Sequence, residues 1–299
     1  MNRKHLARRF KMGFNFRSGL FFPANREKFY EKAILTNPSC FCPDLEDSVS
    51  LQEKDTAIKM LKEKIKFLHN SKPNVKIMPR PNHISTSFHS DIDNLLTKEN
   101  AKLFDGFVIP KISSGDEFAE IDLKLTEKEK EYDLEHNHFQ IVVAIETTLG
   151  IINCTQILRG FKNRIFAAGF GADDFSSDFG IIKTPAGLSF PKKYLALACH
   201  AENVLALNTP FVEIKNLEGL KKSIEEAKLI GFKGQFCIHP THVDMINEEY
   251  CYTKEQIEYS QILCEEFEKA RKEGKSAINF KGIMIDEAVY KRELNIAQS

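Results

Sequence analysis

The feature that most constrains this chain is an alternation. Short apolar runs recur along it, and longer stretches with helical polar–apolar spacing separate them. Eight runs read as strands: residues 19–22, 40–45, 75–80, 106–110, 140–146, 164–171, 210–214 and 235–239. Stretches such as 27–35, 51–68, 221–230 and 241–249 read as helices between them. Parallel neighbours need a crossover long enough for a helix, so this alternation predicts a parallel sheet. Eight such units suit a closed (β/α)8 TIM barrel, an α/β fold that commonly spans 200 to 300 residues as one unit. The 299-residue chain has room for it. An open doubly wound sheet is the rival, but no Gly-x-Gly-x-x-Gly turn follows the first run.

The domain reading follows. Residues 1–250 hold the barrel with a short basic leader, and residues 251–299 form a C-terminal helical extension or lid. Residues 255–272 read as an amphipathic helix, and Gly274 leads from it to an apolar-rich stretch ending at Asp286. Residues 125–138 are charge-rich and read as an exposed loop or helix extension.

Lys plus Arg and Asp plus Glu both number 42, so the net charge is zero. That balance offers no whole-chain attraction to nucleic acid or to an anionic membrane. No apolar run has the length to cross a bilayer. Seven cysteines lie scattered at 40, 42, 154, 199, 237, 251 and 264, without a Cys-x-x-Cys pair or partner ligands at zinc spacing. They read as buried reduced thiols of a cytoplasmic protein. The first sixteen residues carry Arg3, Lys4, Arg8, Arg9 and Lys11 and no acid. A solvated leader or first helix is the expected reading; a transit peptide would instead place the chain in the mitochondrial matrix.

Most of the predicted strands end in a residue able to do chemistry. Asn25 and Arg26, Asp44 with Glu46 and Asp47, Arg80, Lys111, Glu146, Asp173 with Asp174, Glu213 and His239 all stand at or just after such ends. In a barrel every strand opens on one face at its carboxyl end, so these groups converge. Glu146 and Asp174 form a carboxylate pair suited to Mg²⁺, which takes one or two carboxylates plus waters and substrate oxygens. The plainer reading is solvated acids, with Asp174 capping the next helix. Arg80, between Pro79 and Pro81, is a stiffly held forked donor for a carboxylate or a developing enolate oxygen. Its structural alternative is an ion pair with an acid of the second strand. The acids at 44, 46 and 47 need cations nearby, and Arg80 and Lys111 are candidates. Asp47 or Ser48 is also a candidate helix cap. Lys111 and His239 admit structural readings equally well. The chain has no Gly-x-Ser-x-Gly elbow, no P-loop and no His-Glu-x-x-His.

Eight short motifs, in order, carry a resemblance. They are Arg17-Ser-Gly-Leu-Phe-Phe-Pro-Ala-Asn-Arg26, Asp44-Leu-Glu-Asp-Ser-Val49, Pro79-Arg-Pro-Asn82 and Ile109-Pro-Lys111, followed by Ile145-Glu-Thr-Thr-Leu-Gly150, Gly171-Ala-Asp-Asp-Phe175, Ile238-His-Pro240 and Lys281-Gly-Ile-Met-Ile-Asp286. With them the chain resembles the citrate lyase beta-subunit-like and malyl-CoA lyase family of the HpcH/HpaI aldolase superfamily. The resemblance implies a trimeric barrel enzyme that makes or breaks a carbon–carbon bond next to a coenzyme A thioester. Its substrate would be malyl-, citramalyl- or citryl-CoA, and an acyl-carrier partner subunit serves the citrate lyases proper. Position by position it implies Glu146 and Asp174 as Mg²⁺ ligands, and Arg80 as the group that stabilises the acyl-CoA enolate. It implies Asp286 as an acid acting at the reacting carbon, with Glu46 and Asp47 beside them in catalysis. Arg26, Asp44, Asn82, Lys111, Gly171, Ala172 and Asp173 would bind the substrate.

The chain departs from the family pattern at Ala24, Asp173, Lys192 and residues 213–216, where glycine, glutamate, arginine and Asp-x-Arg-Asp are usual. These changes bear on the acyl group and keto acid. Two further readings stand beside this one: a CoA-independent metal-dependent aldolase of 2-keto acids, and a non-enzymatic barrel subunit.

Overall fold

The computed structural model describes residues 16–161 and 163–298. The basic leader therefore lies outside the described residues, apart from its last position, Phe16. The described chain divides into two compact units, the first ending at Tyr250 and the second beginning at Cys251.

The first unit is a nearly closed barrel of eight parallel strands with helices between them. The strands are β1 Ser18–Pro23, β2 Cys40–Asp44, β3 Lys76–Ile77, β4 Gly106–Ile109, β5 Gln140–Ile145, β6 Ile165–Phe170, β7 Leu205–Asn208 and β8 Gly234–Cys237. The helices are α1 Glu27–Ala33, α2 Lys54–Ser71, α3 Phe88–Leu95, α4 Gly115–Glu131, α5 Thr148–Gly160, α6 Ala172–Phe179, α7 Pro185–Glu202, α8 Leu217–Leu229 and α9 Val243–Glu249. The strands run in the order β3-β2-β1-β8-β7-β6-β5-β4. The remaining seam, between β3 and β4, carries two backbone hydrogen bonds: Asp105 N–H to the Ile77 carbonyl and Val108 N–H to the Pro79 carbonyl, both 3.0 Å.

Alternation along each strand sorts side chains into two cores. Cys40, Cys42, Met78, Val108, Val142, Leu207 and Phe236 form an inner cluster with Phe16. Their neighbours Phe41, Ile77, Phe107, Ile109, Ile141 and Val143 join the helices in the larger core. Gly169 of β6 leaves room for Phe236, since a Cβ there would come within 2.7 Å of that ring.

Seven of the eight predicted strands coincide with observed ones to within a few residues. The seventh is corrected: it is β7, Leu205–Asn208, and residues 210–214 form a loop. Asn203, in the left-handed region at φ 57°, ends α7 and turns the chain directly into the strand. Pro210 then offers no N–H to a ladder, and Val212 and Ile214 are exposed. Glu213 consequently lies in that loop, where its carboxylate accepts from the Asn216 amide at 2.8 Å. The third strand is shorter than expected because Pro43 of β2 has no N–H to give the Met78 carbonyl, yet pairing resumes at Arg80. Arg80 N–H reaches the Pro43 carbonyl at 3.0 Å, and Leu45 N–H reaches the Arg80 carbonyl at 2.9 Å.

The charge-rich stretch after residue 125 is also part of the framework. Its first half completes α4, and Glu129 is buried against Arg164 at the amino end of β6. Arg164, 1% exposed, also bonds Asp122, Thr126 Oγ1 and the Phe139 carbonyl. A fully paired guanidinium is one of the few ways to bury such a charge.

The second unit holds α10 Lys254–Lys272, a hairpin of β9 Ile278–Phe280 and β10 Ile283–Ile285, and α11 Glu287–Ala297. Thr253 and Gln256 make a reciprocal capping box at the start of α10. Leu263, Cys264, Phe267, Phe280, Ile285 and Tyr290 form the unit's own core. No helix of the described residues is long and apolar enough to cross a membrane.

Candidate active site at the carboxyl ends of the strands

The carboxyl ends of the barrel strands surround a cavity of about 390 Å³. Asp44, Arg80, Glu146 and Asp174 line it with polar atoms, and Phe21, Val108, Phe236 and Ile238 line it with apolar ones.

Arg80 is the best-held group. Its Nε and Nη2 donate to the two oxygens of Asp44 at 2.7 and 2.8 Å, a bidentate pair. Its Nη1 lies 2.9 Å from Glu46 Oε2 as an ion pair without hydrogen-bond alignment. The guanidinium carbon lies 5.0 Å from the centre of the Phe21 ring, a cation–π contact. Asp44 is 1% exposed and also accepts the N–H groups of Glu46 and Ser48, at 3.0 and 3.1 Å. Burial alone would raise its carboxyl; Arg80 and these N–H and hydroxyl donors outweigh that and hold it below its ordinary value. The expected ion pair with an acid of the second strand is therefore present, and it holds Arg80 at the cavity wall.

Lys111 gathers the remaining acids. Its ammonium contacts Glu46 Oε1 at 2.5 Å, Asp47 Oδ2 at 2.9 Å and Asp174 Oδ1 at 3.6 Å. Its backbone is in the left-handed region, φ 54°, and its N–H donates to Glu146 Oε1 at 2.9 Å. Burial raises the Glu46 carboxyl, against the pull of Arg80 and Lys111, whereas Lys111 outweighs burial at Asp47 and lowers it.

Glu146 is 4% exposed at the end of β5. Burial pushes its carboxyl up to about 7, against the pull of Arg80 and with the push of Asp174 and Glu46. Gly171 begins α6 directly beside it, and a Cβ at Gly171 would collide with the Glu146 carboxylate. Asp174 lies inside the first turn of α6, whose N-cap is Gly171, so Asp174 does not cap this helix. Likewise Asp47 and Ser48 precede the next helical turn without capping it.

Glu146 and Asp174 suit a hard divalent cation by their chemistry. Both are oxygen donors, and a nearby cation would relieve the cost of the buried Glu146 charge. Among the described residues no group of three or more His, Cys, Asp or Glu is arranged to hold a metal. An ion held here would therefore complete its shell with water or substrate.

The other expected site residues take varied places. Arg26 is exposed and pairs with Glu53 at 2.9 Å, which also accepts from Asn25. Asn82 is buried and bonded to Asp91 and Lys54. Asp173 pairs with Lys183 at the surface, and Ala172 N–H donates to Thr209 Oγ1 at 3.3 Å. His239 closes its own turn through Nδ1 and Thr241, the structural reading. Asp286 belongs to the second unit, where its carboxylate accepts from Ala288 and Val289 N–H at 3.0 Å and caps α11.

Four residues around this mouth escaped the sequence reading: Phe21, Ser48, Lys54 and Thr209. Phe21 and Ser48 lay inside motifs of the resemblance, Ser48 only as a candidate helix cap. Lys54 and Thr209 had no local signal, because their partners are distant in sequence.

Residues 17–240 match the family described as HpcH/HpaI aldolase/citrate lyase. The chain is 26% identical over 278 residues to citrate lyase subunit beta of Leuconostoc mesenteroides subsp. cremoris, covering 92% of this chain and 90% of that one. It is 25% identical over 289 residues to mitochondrial citramalyl-CoA lyase of Homo sapiens, covering 93% and 84%. The fold is similar to CitE from Mycobacterium tuberculosis, a structure in complex with magnesium, acetoacetate and coenzyme A. That match has a TM-score of 0.73 at 21% identity and covers 95% of this chain and 98% of that one.

Proposed function

The chain belongs to the HpcH/HpaI aldolase/citrate lyase family, and from that premise we propose that it is a Mg²⁺-dependent carbon–carbon lyase acting on a 3-hydroxyacyl-CoA thioester. The observation that carries the reading is Arg80, held bidentately by Asp44 in a cavity that Glu146 and Asp174 also line. The names of the relatives support the class: citrate lyase subunit beta and citramalyl-CoA lyase.

In cleavage, Glu146 and Asp174 would hold the ion, and a bound Mg²⁺ would supply Lewis-acid polarisation of the substrate's oxygens. The hydroxyl proton leaves to a carboxylate of the mouth, where Glu46 and Asp47 flank Lys111. The carbon–carbon bond breaks, its electrons pass to the thioester carbonyl, and a 2-keto acid departs. Arg80 stabilises the enolate oxygen, as a preorganised donor does where charge develops. The enolate carbon then takes up a proton, the part the family resemblance gives to Asp286. Asp44 and Glu46 hold Arg80, and the aromatic wall of Phe21 and Phe236 keeps water from the enolate.

The test is thioester cleavage by the whole protein with Mg²⁺. The substrates are malyl-, methylmalyl-, citramalyl- and citryl-CoA, and keto-acid release is the readout. One substrate should turn over, and EDTA should abolish it. Asp286→Asn separates two roles, because asparagine still caps a helix but carries no acid. It should keep the wild-type melting temperature and lose at least about a hundredfold in kcat, the scale of general acid catalysis. No turnover of any thioester, with a free 2-keto acid aldol cleaved instead, would replace this reading by the aldolase.

A further inference from the structure

Lys54 is the first residue of α2 and forms no part of the cavity wall, yet it ties two strand ends together. Its ammonium donates to the carbonyls of Leu45 and Glu46 at 2.6 and 2.7 Å and to Asn82 Oδ1 at 2.7 Å. An ammonium has three hydrogens, and these contacts use all of them. The first two acceptors follow Asp44 directly on the chain. The third lies two residues beyond Arg80. Asn82 cannot drift, because its N–H and its side-chain amide both donate to Asp91 Oδ2, at 2.8 and 2.7 Å. Asn82 and Asp91 are 7% and 3% exposed, so water does not compete for these bonds.

The pair held between these anchors is Asp44 and Arg80. Between β2 and Arg80 the backbone itself contributes Leu45 N–H to the Arg80 carbonyl and Arg80 N–H to the Pro43 carbonyl. Pro43 has no N–H for the Met78 carbonyl, so the ladder between these strands misses one rung just before Arg80. The cationic clamp of Lys54 ties the same two segments together just beyond that gap.

We propose that Lys54 is a positioning residue: it locks the ends of β2 and β3 in one register and so sets the angle at which Asp44 presents Arg80 to the cavity. It touches no reacting atom. Its effect on rate is transmitted through the bidentate pair, and misplacement of an anion-holding group by about 1 Å costs roughly a hundredfold. The catalytic half of this inference rests on the lyase reading, whereas the structural half does not.

The test compares Lys54→Met, which keeps the methylene stem and loses the donors, with Lys54→Arg and with Lys59→Met, an exposed lysine of the same helix. Hydrogen exchange is followed in residues 41–49 and, as a reference, in residues 140–146 of β5. For Lys54→Met, exchange in 41–49 should quicken about tenfold or more, the loss of a charge-assisted hydrogen bond. The β5 reference should stay unchanged. On the substrate that wild type cleaves, kcat should fall about a hundredfold with KM nearly unchanged, the mark of an interaction felt in the transition state. Lys54→Arg should fail to restore either value, because a planar fork cannot meet three oxygens set for a tetrahedral ammonium. Should Lys54→Met not fold, Lys54→Arg carries the same two readouts. Exchange in 41–49 equal to wild type, or an equal quickening in both segments, would overturn the role of Lys54. A wild type without turnover would instead sink the lyase reading and leave the exchange result to decide Lys54.

Discussion

Gly171 and Glu146 meet just past the paired ends of β5 and β6, and the absence of a Cβ decides whether they fit. The Glu146 carboxylate occupies the space that a Cβ at Gly171 would take. Gly171→Ala should therefore displace the proposed metal ligand and strain the start of α6. Overpacking of this kind costs about 1–3 kcal/mol. Urea unfolding should show that loss, and the stabilisation gained on adding Mg²⁺ should shrink or vanish. Gly115→Ala is the control, since no atom lies within 4 Å of a Cβ there. An alanine at 171 as stable and as responsive to Mg²⁺ as wild type would rule out this packing role.

At the scale of elements, the ends of β2 and β3 are joined by an ion pair next to the one rung of the ladder that Pro43 leaves unmade. Asp44 carries its stabilising charge at a folded pKa below its ordinary 3.8. Its contribution is complete above that ordinary value and is lost as pH falls through the lower, folded one. Glu46 runs the other way: burial raises its carboxyl above 4.5, so protonating it favours the fold as pH falls. Asp44→Asn isolates the first effect. At neutral pH the variant should be about 3–5 kcal/mol less stable, because the largely buried Arg80 is left with Glu46 as its one carboxylate partner. Below pH 3.8 the stability gap to wild type should narrow as wild type loses its charge. A gap that stays constant across the acid range would mean that the pair does not carry the linkage.

For the molecule as a whole, the barrel exposes large apolar side chains on two neighbouring helices. Leu149 and Ile152 on α5, and Phe190 and Leu197 on α7, are each more than half exposed, as are Phe179 at the end of α6 and Ile182 on the segment leading to α7. Exposed apolar side chains in such number mark an interaction surface more often than a free one. The family resemblance points to a second and third copy of this chain as the cover. Light scattering should give the mass of a trimer for wild type, and Ile152→Lys with Phe190→Asp should lower it to the monomer. A monomeric wild type would remove the idea.

The periodicity of the sequence by itself determined the barrel and seven of its strands, because burial on both faces of a parallel strand demands a continuous apolar run. Asn203 hid the remaining one, β7: only that left-handed residue and Val204 separate the helix end from the strand start, which periodicity does not register. The acids, Arg80 and Lys111 were legible because every barrel strand opens on the same face. What only the tertiary structure decided is how they pair. Asp44 with Arg80, Lys111 with three acids, and Lys54 with two strand ends join residues 8 to 65 positions apart. Gly171 likewise was expected to bind substrate on the strength of the resemblance, and only the fold set it against Glu146. Sequence spacing constrains a side chain only within its own helix or strand. A bidentate bond or a clash is settled by where different strands end in space, and the closed barrel sets that.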